Sequence, residues 1–283
     1  MNMFRESLAH GYKLIRFLRK HVYPNKGFLR VLIYHDIAPW QEIQFSKQIQ
    51  ALLQYYRIID IDTFCKMHQG KLPIQGGNIL LTFDDGLKSN RYIAENVLNS
   101  LGIKALFFII PEFMKCVDTN QQKMFIANNL FNGMIHAHDV PTHLLPMDSN
   151  DIQYLINTGH AIGSHSSTHT KLTTLNASAL TKEIIESADR LQQQFNIPIH
   201  YFAYPFGDIN SINMQSLQLA KQRYRYVFSG VRGNNSTVTH PFAVRREHVD
   251  VGCSLKMLYF IVEGGLSLYY YYKRKKLDNM VYS

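Results

Sequence analysis

The chain has 283 residues, 46% of them hydrophobic and distributed along its whole length, and a formal charge of +9. That is enough apolar material for one domain of barrel size and excludes a disordered or low-complexity protein. Cys65, Cys116 and Cys253 stand far apart with no C-x-x-C spacing, which excludes a disulfide framework and a thiolate zinc site and fits a reducing compartment.

From Phe4 to Val22 the apolar residues Phe4, Leu8, Tyr12, Ile15, Leu18 and Val22 recur every three or four positions. Arg5, Lys13, Arg16, Arg19 and Lys20 lie largely on another face, as in a basic amphipathic helix. Residues 1–30 therefore read as a basic segment ahead of the main domain. The first turns lack the compact apolar run of a secretory signal, and no stretch is long and apolar enough to span a bilayer, so a cytoplasmic protein is expected. Next come Val31–His35 as a strand, the helical stripe Phe45, Ile49, Leu52 and Tyr56, the strand Asn78–Phe83 and a helix over Asn90–Leu101. IKALFFII (Ile103–Ile110) reads as a buried strand, followed by a polar and aromatic insertion from about 112 to 147, too long for an ordinary connection and placed as a cap beside the site. His136, His138 and His143 fall in this insertion and read as cap loop rather than as a second metal site. A strand His160–Ser164, a long helix Ala177–Phe195 and a strand Tyr201–Tyr204 continue the alternation. Apolar strands separated by helices imply a parallel sheet. At least six such units without a nucleotide-type glycine fingerprint predict an α/β fold, a single-domain closed or nearly closed (β/α) barrel over 31–262. The last residues, 263–283, form a basic, tyrosine-rich tail containing YYYYKRKK. Both basic ends suit peripheral contact with an anionic membrane at its inner face. No nucleic-acid motif accompanies the charge, and nucleic acid is not expected as a partner.

Two spots carry chemistry. ILLTFDDG ends an apolar strand on Asp84 and Asp85, and in a β/α barrel the C-terminal strand ends form the rim where active sites sit. HSSTH ends another short strand and sets His165 and His169 four apart, a spacing able to aim two imidazoles at one ion. Ser166 stands where the glutamate of an H-E-x-x-H motif would be, so the base must come from elsewhere. Two histidines and one carboxylate leave coordination positions open, as a catalytic metal requires.

TFDDG, then HSSTH, then Tyr204-Pro205-Phe206-Gly207 together resemble the polysaccharide deacetylase (NodB-homology, carbohydrate esterase 4) family over roughly Val31–Val249. The resemblance implies a distorted (β/α) barrel that removes acetyl groups from N-acetylated sugars, polysaccharides or lipid-linked sugars. It makes Asp84 the general base, Asp85, His165 and His169 the metal triad, and Tyr204, Pro205 and Phe206 oxyanion- or substrate-binding, with the Phe206 N–H in the oxyanion role. The donor set suits Zn2+ first, with Ni2+, Co2+ or Fe2+ also compatible. The family's late I-V-L-x-H-D motif, which carries its acid histidine, has its match at the front of this chain in VLIYHD, as in circularly permuted branches, making His35 the candidate acid. Two departures stand out. Ala203 occupies the place of the family's base-orienting arginine, and no Asp-Trp motif is recognisable. Arg245 and Arg246 on a later strand end are the candidates to pair with Asp84 and keep it ionised. An O-acetyl esterase or amino-sugar deformylase would use the same residues; a non-catalytic glycan-binding protein is the rival from another class.

Overall fold

Alternation along FLRVLIY sends Leu29 and Val31 to one side of a strand and Phe28, Leu32 and Tyr34 to the other, and both sides are buried. This is β1 (Phe28–Tyr34) of the computed structural model, which describes residues 27–283. The amphipathic segment 4–22 lies outside the described residues. Because β1 already begins at Phe28, Arg30 belongs to the barrel rather than to a basic leader. Its guanidinium is buried and bonds Glu247 (2.9 Å) and the carbonyl of Val262 (3.1 Å), and Arg232 holds the other Glu247 oxygen at 3.1 Å.

The remaining strands are β2 (Arg57–Ile59), β3 (Gly77–Phe83), β4 (Leu106–Ile109), β5 (Ala161–Ser164), β6 (Tyr201–Ala203), β7 (Tyr226–Phe228) and β8 (Glu247–His248). All pairings among them are parallel, in the order β7-β6-β5-β4-β3-β1-β8, with β2 on β3. Val244 bridges Phe228 before the chain enters β8, its N–H reaching Val227 O (3.0 Å) while its carbonyl accepts from Ser229 N (2.8 Å). Residues 244–248 thus run from β7 to β1 and bring the two ends of the sheet together. The expected distorted (β/α) barrel is the observed fold. Phe108, Phe228, Leu80, Leu106 and Ala203 fill its inside, and a larger apolar layer lies between strands and helices. Each fully buried Leu or Phe contributes roughly 1.5–3 kcal/mol relative to leaving it in water.

Helix Glu42–Leu53 buries the predicted Phe45, Ile49 and Leu52. The long helix over 177–195 contains a π-type turn at Lys182–Glu186 and ends on Asn196 in the left-handed conformation. The insertion folds over the strand ends through short helices at Pro111–Met114 and Thr119–Phe125, with its own core of Phe113, Ile126, Val140 and Leu144. Helix Tyr271–Tyr282 packs on the barrel through Leu277 and Val281, so the basic tail is an ordered element. Among the described residues no helix is long and apolar enough to cross a membrane.

Candidate active site

The strand ends β1, β3 and β5, the turn after β6 and the end of β8 converge on a cleft of about 360 Å³. After Phe83 the chain turns through Asp85 (φ 74°) and Gly86 (φ 71°), which sets the two aspartates in different directions. Ser166, His169 and Phe206 also have φ between 62° and 64°. Left-handed backbone at non-glycine residues is costly, and its concentration on the loops of one cleft is typical of a functional site. Gly207 (φ 60°) has a further reason to be glycine: a Cβ there would stand 2.7 Å from Gly230 N.

Asp85, His165 and His169 come together as the sequence predicts. All three are buried, and one potential ligand atom from each lies within 4.8 Å of the others. Asp85 Oδ1 is 3.4 Å from His165 Nε2 and 3.6 Å from His169 Nε2, longer than good hydrogen bonds, and this buried oxygen has no hydrogen-bond partner. The far side of each imidazole is fixed, because His165 Nδ1 bonds Ala203 O (2.6 Å) and His169 Nδ1 bonds Asn129 O (2.9 Å). A carbonyl only accepts, so each Nδ1 carries a proton, and in the neutral ring each Nε2 turns a lone pair toward Asp85. An orphaned carboxylate oxygen facing two imidazole lone pairs fits a divalent cation of the zinc type. Among the described residues this is the one such cluster. His143 instead bonds Asp36 (2.9 Å), and His136 stacks on His138.

Asp84 lies beside this set, its Oδ2 3.8 Å from His165 Nε2, but its hydrogen bonds go elsewhere. Arg246 grips it with both arms, Nη1 to Oδ1 at 2.7 Å and Nη2 to Oδ2 at 2.9 Å, while Arg246 Nε donates to Ser229 O at 2.9 Å. Of the two candidate arginines, Arg246 is the one that pairs with Asp84; Arg245 faces the other way and binds Asp278 with 2.9 and 2.7 Å contacts. The guanidinium expected at Ala203 thus reaches Asp84 from the neighbourhood of β8, and Ala203 contributes its carbonyl to His165. Burial by itself raises the Asp84 carboxyl, but Arg246, then His165 and His35, outweigh it and hold the group below the usual carboxylate range. Burial likewise opposes ionisation of Asp85, and the His165 and His169 contacts outweigh it. His169, where burial dominates, is pushed down to about 4; at His165 burial is outweighed by Asp84 and Asp85, and the imidazole is raised.

His35 lines the same cleft, as expected of the candidate acid, with its ring 5.3 Å from that of His248. Phe206 stands 41% exposed at the edge, its ring 4.7 Å from His169. Tyr204 and Pro205 do not wall the cleft: the Tyr204 side chain is 1% exposed and belongs to the apolar core, so of that motif Phe206 and Gly207 line the site. Sequence reasoning missed His248, Asp208, Tyr270 and Lys273, which also line the cleft, and the cap carbonyl of Asn129. His248 was within reach by parity, two residues past Arg246 on a strand.

The family model for polysaccharide deacetylase matches residues 72–227, more than half of the chain. The chain belongs to the polysaccharide deacetylase family. The bifunctional xylanase/deacetylase of Pseudobutyrivibrio xylanivorans is 22% identical over 58% of this chain, which spans only 25% of that protein. The Bacillus subtilis protein YxkH, assigned by name to the polysaccharide deacetylases, is 23% identical, covering 80% of this chain and 73% of its own length. The Streptococcus pyogenes deacetylase PplD, solved in complex with acetate, superposes with a TM-score of 0.63 at 18% identity, covering 83% of this chain and 98% of that one. It shares the barrel of this chain, whose family-matched segment contains Asp84, Asp85, His165, His169 and Phe206.

Proposed function

We propose that the protein is a metal-dependent deacetylase that hydrolyses the N-acetyl group of an amino sugar in a glycan or lipid-linked sugar. The observation that carries this reading is the division of labour between adjacent carboxylates: Asp84 is locked in a two-armed grip by Arg246, while Asp85 turns an unpartnered oxygen toward His165 and His169.

A divalent ion held by Asp85, His165 and His169, zinc before nickel, cobalt or iron, would polarise the acetyl carbonyl and acidify a water. Asp84, kept ionised by Arg246, accepts a proton from the attacking water. The Phe206 N–H is the proposed donor to the oxygen that gains charge. An amine leaves only once protonated, and His35, on the β1 side of the cleft, delivers that proton. Ala203 and Asn129 carbonyls keep both imidazoles oriented through turnover. Arg246 beside Asp84 supports turnover over mere glycan binding, since it supplies the base-orienting arginine that Ala203 lacks.

The test is acetate and formate release by the metal-reconstituted full chain from a panel of N-acetyl, O-acetyl and N-formyl sugars and sugar-lipids. Acetate from an N-acetyl member is expected, reduced on the order of 100-fold or more in Asp84→Asn and in His35→Gln. His35 is outside the buried ion pair, so its replacement is expected to leave the fold intact, which circular dichroism checks. Release confined to O-acetyl or N-formyl members would replace this reading by an esterase or a deformylase. No release with the metal bound would leave a glycan-binding protein.

A further inference from the structure

Leu268, Tyr269, Tyr271 and Tyr272 are 88%, 82%, 53% and 81% exposed, four large side chains within five consecutive positions. Scattered exposed apolar residues are ordinary; a contiguous set is not. The segment is held in this position rather than loosely draped. Leu277 and Val281 of the helix Tyr271–Tyr282 are buried, Asp278 is gripped by Arg245, and Val281 O accepts from Lys221 Nζ at 2.8 Å.

Along the segment itself the charge has one sign. No acidic residue occurs from Gly264 to Lys276, and the flanking Asp278 is neutralised by Arg245. Lys273 is committed to Asp208, and Arg274 donates to Arg232 O at 3.2 Å, whereas Lys275 and Lys276 are exposed and carry no acidic partner among the described residues, Lys276 reaching only the neutral Asn210 Oδ1 at 3.2 Å. Tyrosines with wet phenol tips and apolar bodies, a leucine, and unneutralised lysines together match the boundary between acyl chains and anionic headgroups.

The position of the patch ties it to the cleft. Tyr270, between the exposed Tyr269 and Tyr271, lines the catalytic cleft, and so does Lys273. We propose that Leu268, Tyr269, Tyr271, Tyr272, Lys275 and Lys276 form a docking surface for an anionic lipid bilayer, which sets the cleft mouth against the membrane. Combined with the deacetylase reading, on which only this consequence rests, the surface favours an acetylated sugar carried on a membrane lipid over a soluble polymer.

Docking is measured by co-sedimentation of the full chain with vesicles of phosphatidylcholine alone or with 30 mol% (roughly a third) phosphatidylglycerol. The comparison is with Leu268→Ser/Tyr269→Ser/Tyr272→Ser and with Lys275→Glu/Lys276→Glu. Partitioning of the unaltered chain is expected to be at least about tenfold stronger on the anionic vesicles, and each variant is expected to lose on the order of tenfold. Circular dichroism and thermal unfolding, unchanged in both variants, show that the fold is retained. This readout needs no turnover, so docking stands or falls separately from acetate release. Variants that sediment with vesicles as the unaltered chain does would overturn the proposal. So would a serine variant whose one change is loss of self-association in the ultracentrifuge, which would make the patch a contact between copies.

Discussion

Asp84 is 3% exposed and Arg246 1% exposed. Removing one partner of such a buried pair leaves an uncompensated charge and costs about 3–5 kcal/mol, whereas replacing both by apolar groups of similar volume is often close to neutral. Arg246→Met is therefore expected to destabilise the protein by about that amount, Asp84→Leu similarly, and the double variant by clearly less than their sum. Urea unfolding of the four proteins measures the coupling; additive losses would mean that the grip contributes little. Activity is expected to vanish even in a stable double variant, because the proposed base and its orienter are both gone. The sequence discloses this site unevenly for a geometric reason. Asp84-Asp85 and His165/His169 are local motifs whose partners lie within five positions, so each can be seen in a short stretch of sequence, and the family resemblance joins them into one site. The choice between Arg245 and Arg246 depends on which face of the chain looks into the barrel, and neighbours alternate in extended backbone. With Arg246 inward, His248 follows on the same side and Glu247 falls on the other, where Arg30 and Arg232 meet it.

At the scale of elements, the apolar strands are legible, β5 and the three-residue β6 among them, whereas β2 and β7 are not and β8 shows only as a strand end at Arg245-Arg246. ILLTF and IKALFFII announce themselves by composition, but β7 and β8 have three and two residues, too few for any period, and β8 is made of Glu247 and His248. They exist because the ring must close, a property of the assembled barrel. One junction also carries a pH dependence. At the start of β5, His160 Nδ1 accepts from Ala105 N at 3.1 Å and its Nε2 side faces Asn99 Oδ1 at 3.1 Å, an arrangement that needs the neutral ring. Burial, followed by the nearby Lys104 charge, lowers its pKa from 6.5 to about 4. Between these two values the unfolded chain binds a proton that the native ring refuses, so stability is full above about pH 6.5 and declines as the pH falls toward 4. His160→Gln, which cannot titrate, is expected to lose less stability than the parent between pH 7 and pH 5, by on the order of 1 kcal/mol. Equal losses in chemical unfolding at the two pH values would contradict this.

For the whole molecule, the cleft is a meeting of distant parts: β1 supplies His35, β3 the aspartates, β5 the histidines, the insertion Asn129, and the last helix Lys273. No unfolded chain holds Asp85, His165 and His169 within ligand distance of one another, so an ion bound there stabilises only the native state. The gain is RT ln(1 + [L]/Kd), about 4 kcal/mol when free metal is 1,000-fold above its dissociation constant. Chelation of the full chain is therefore expected to lower the thermal midpoint by several degrees, and added Zn2+ to restore it. His169→Ala is the sharper comparison. It is expected to abolish the metal-dependent shift, while His35→Gln, in the same cleft but outside the triad, is expected to keep it. A shift that survives His169→Ala would place the ion on other residues and separate metal binding from the Asp84 centre, whereas its loss in that variant alone would assign the ion to the three side chains that face one another across β3 and β5.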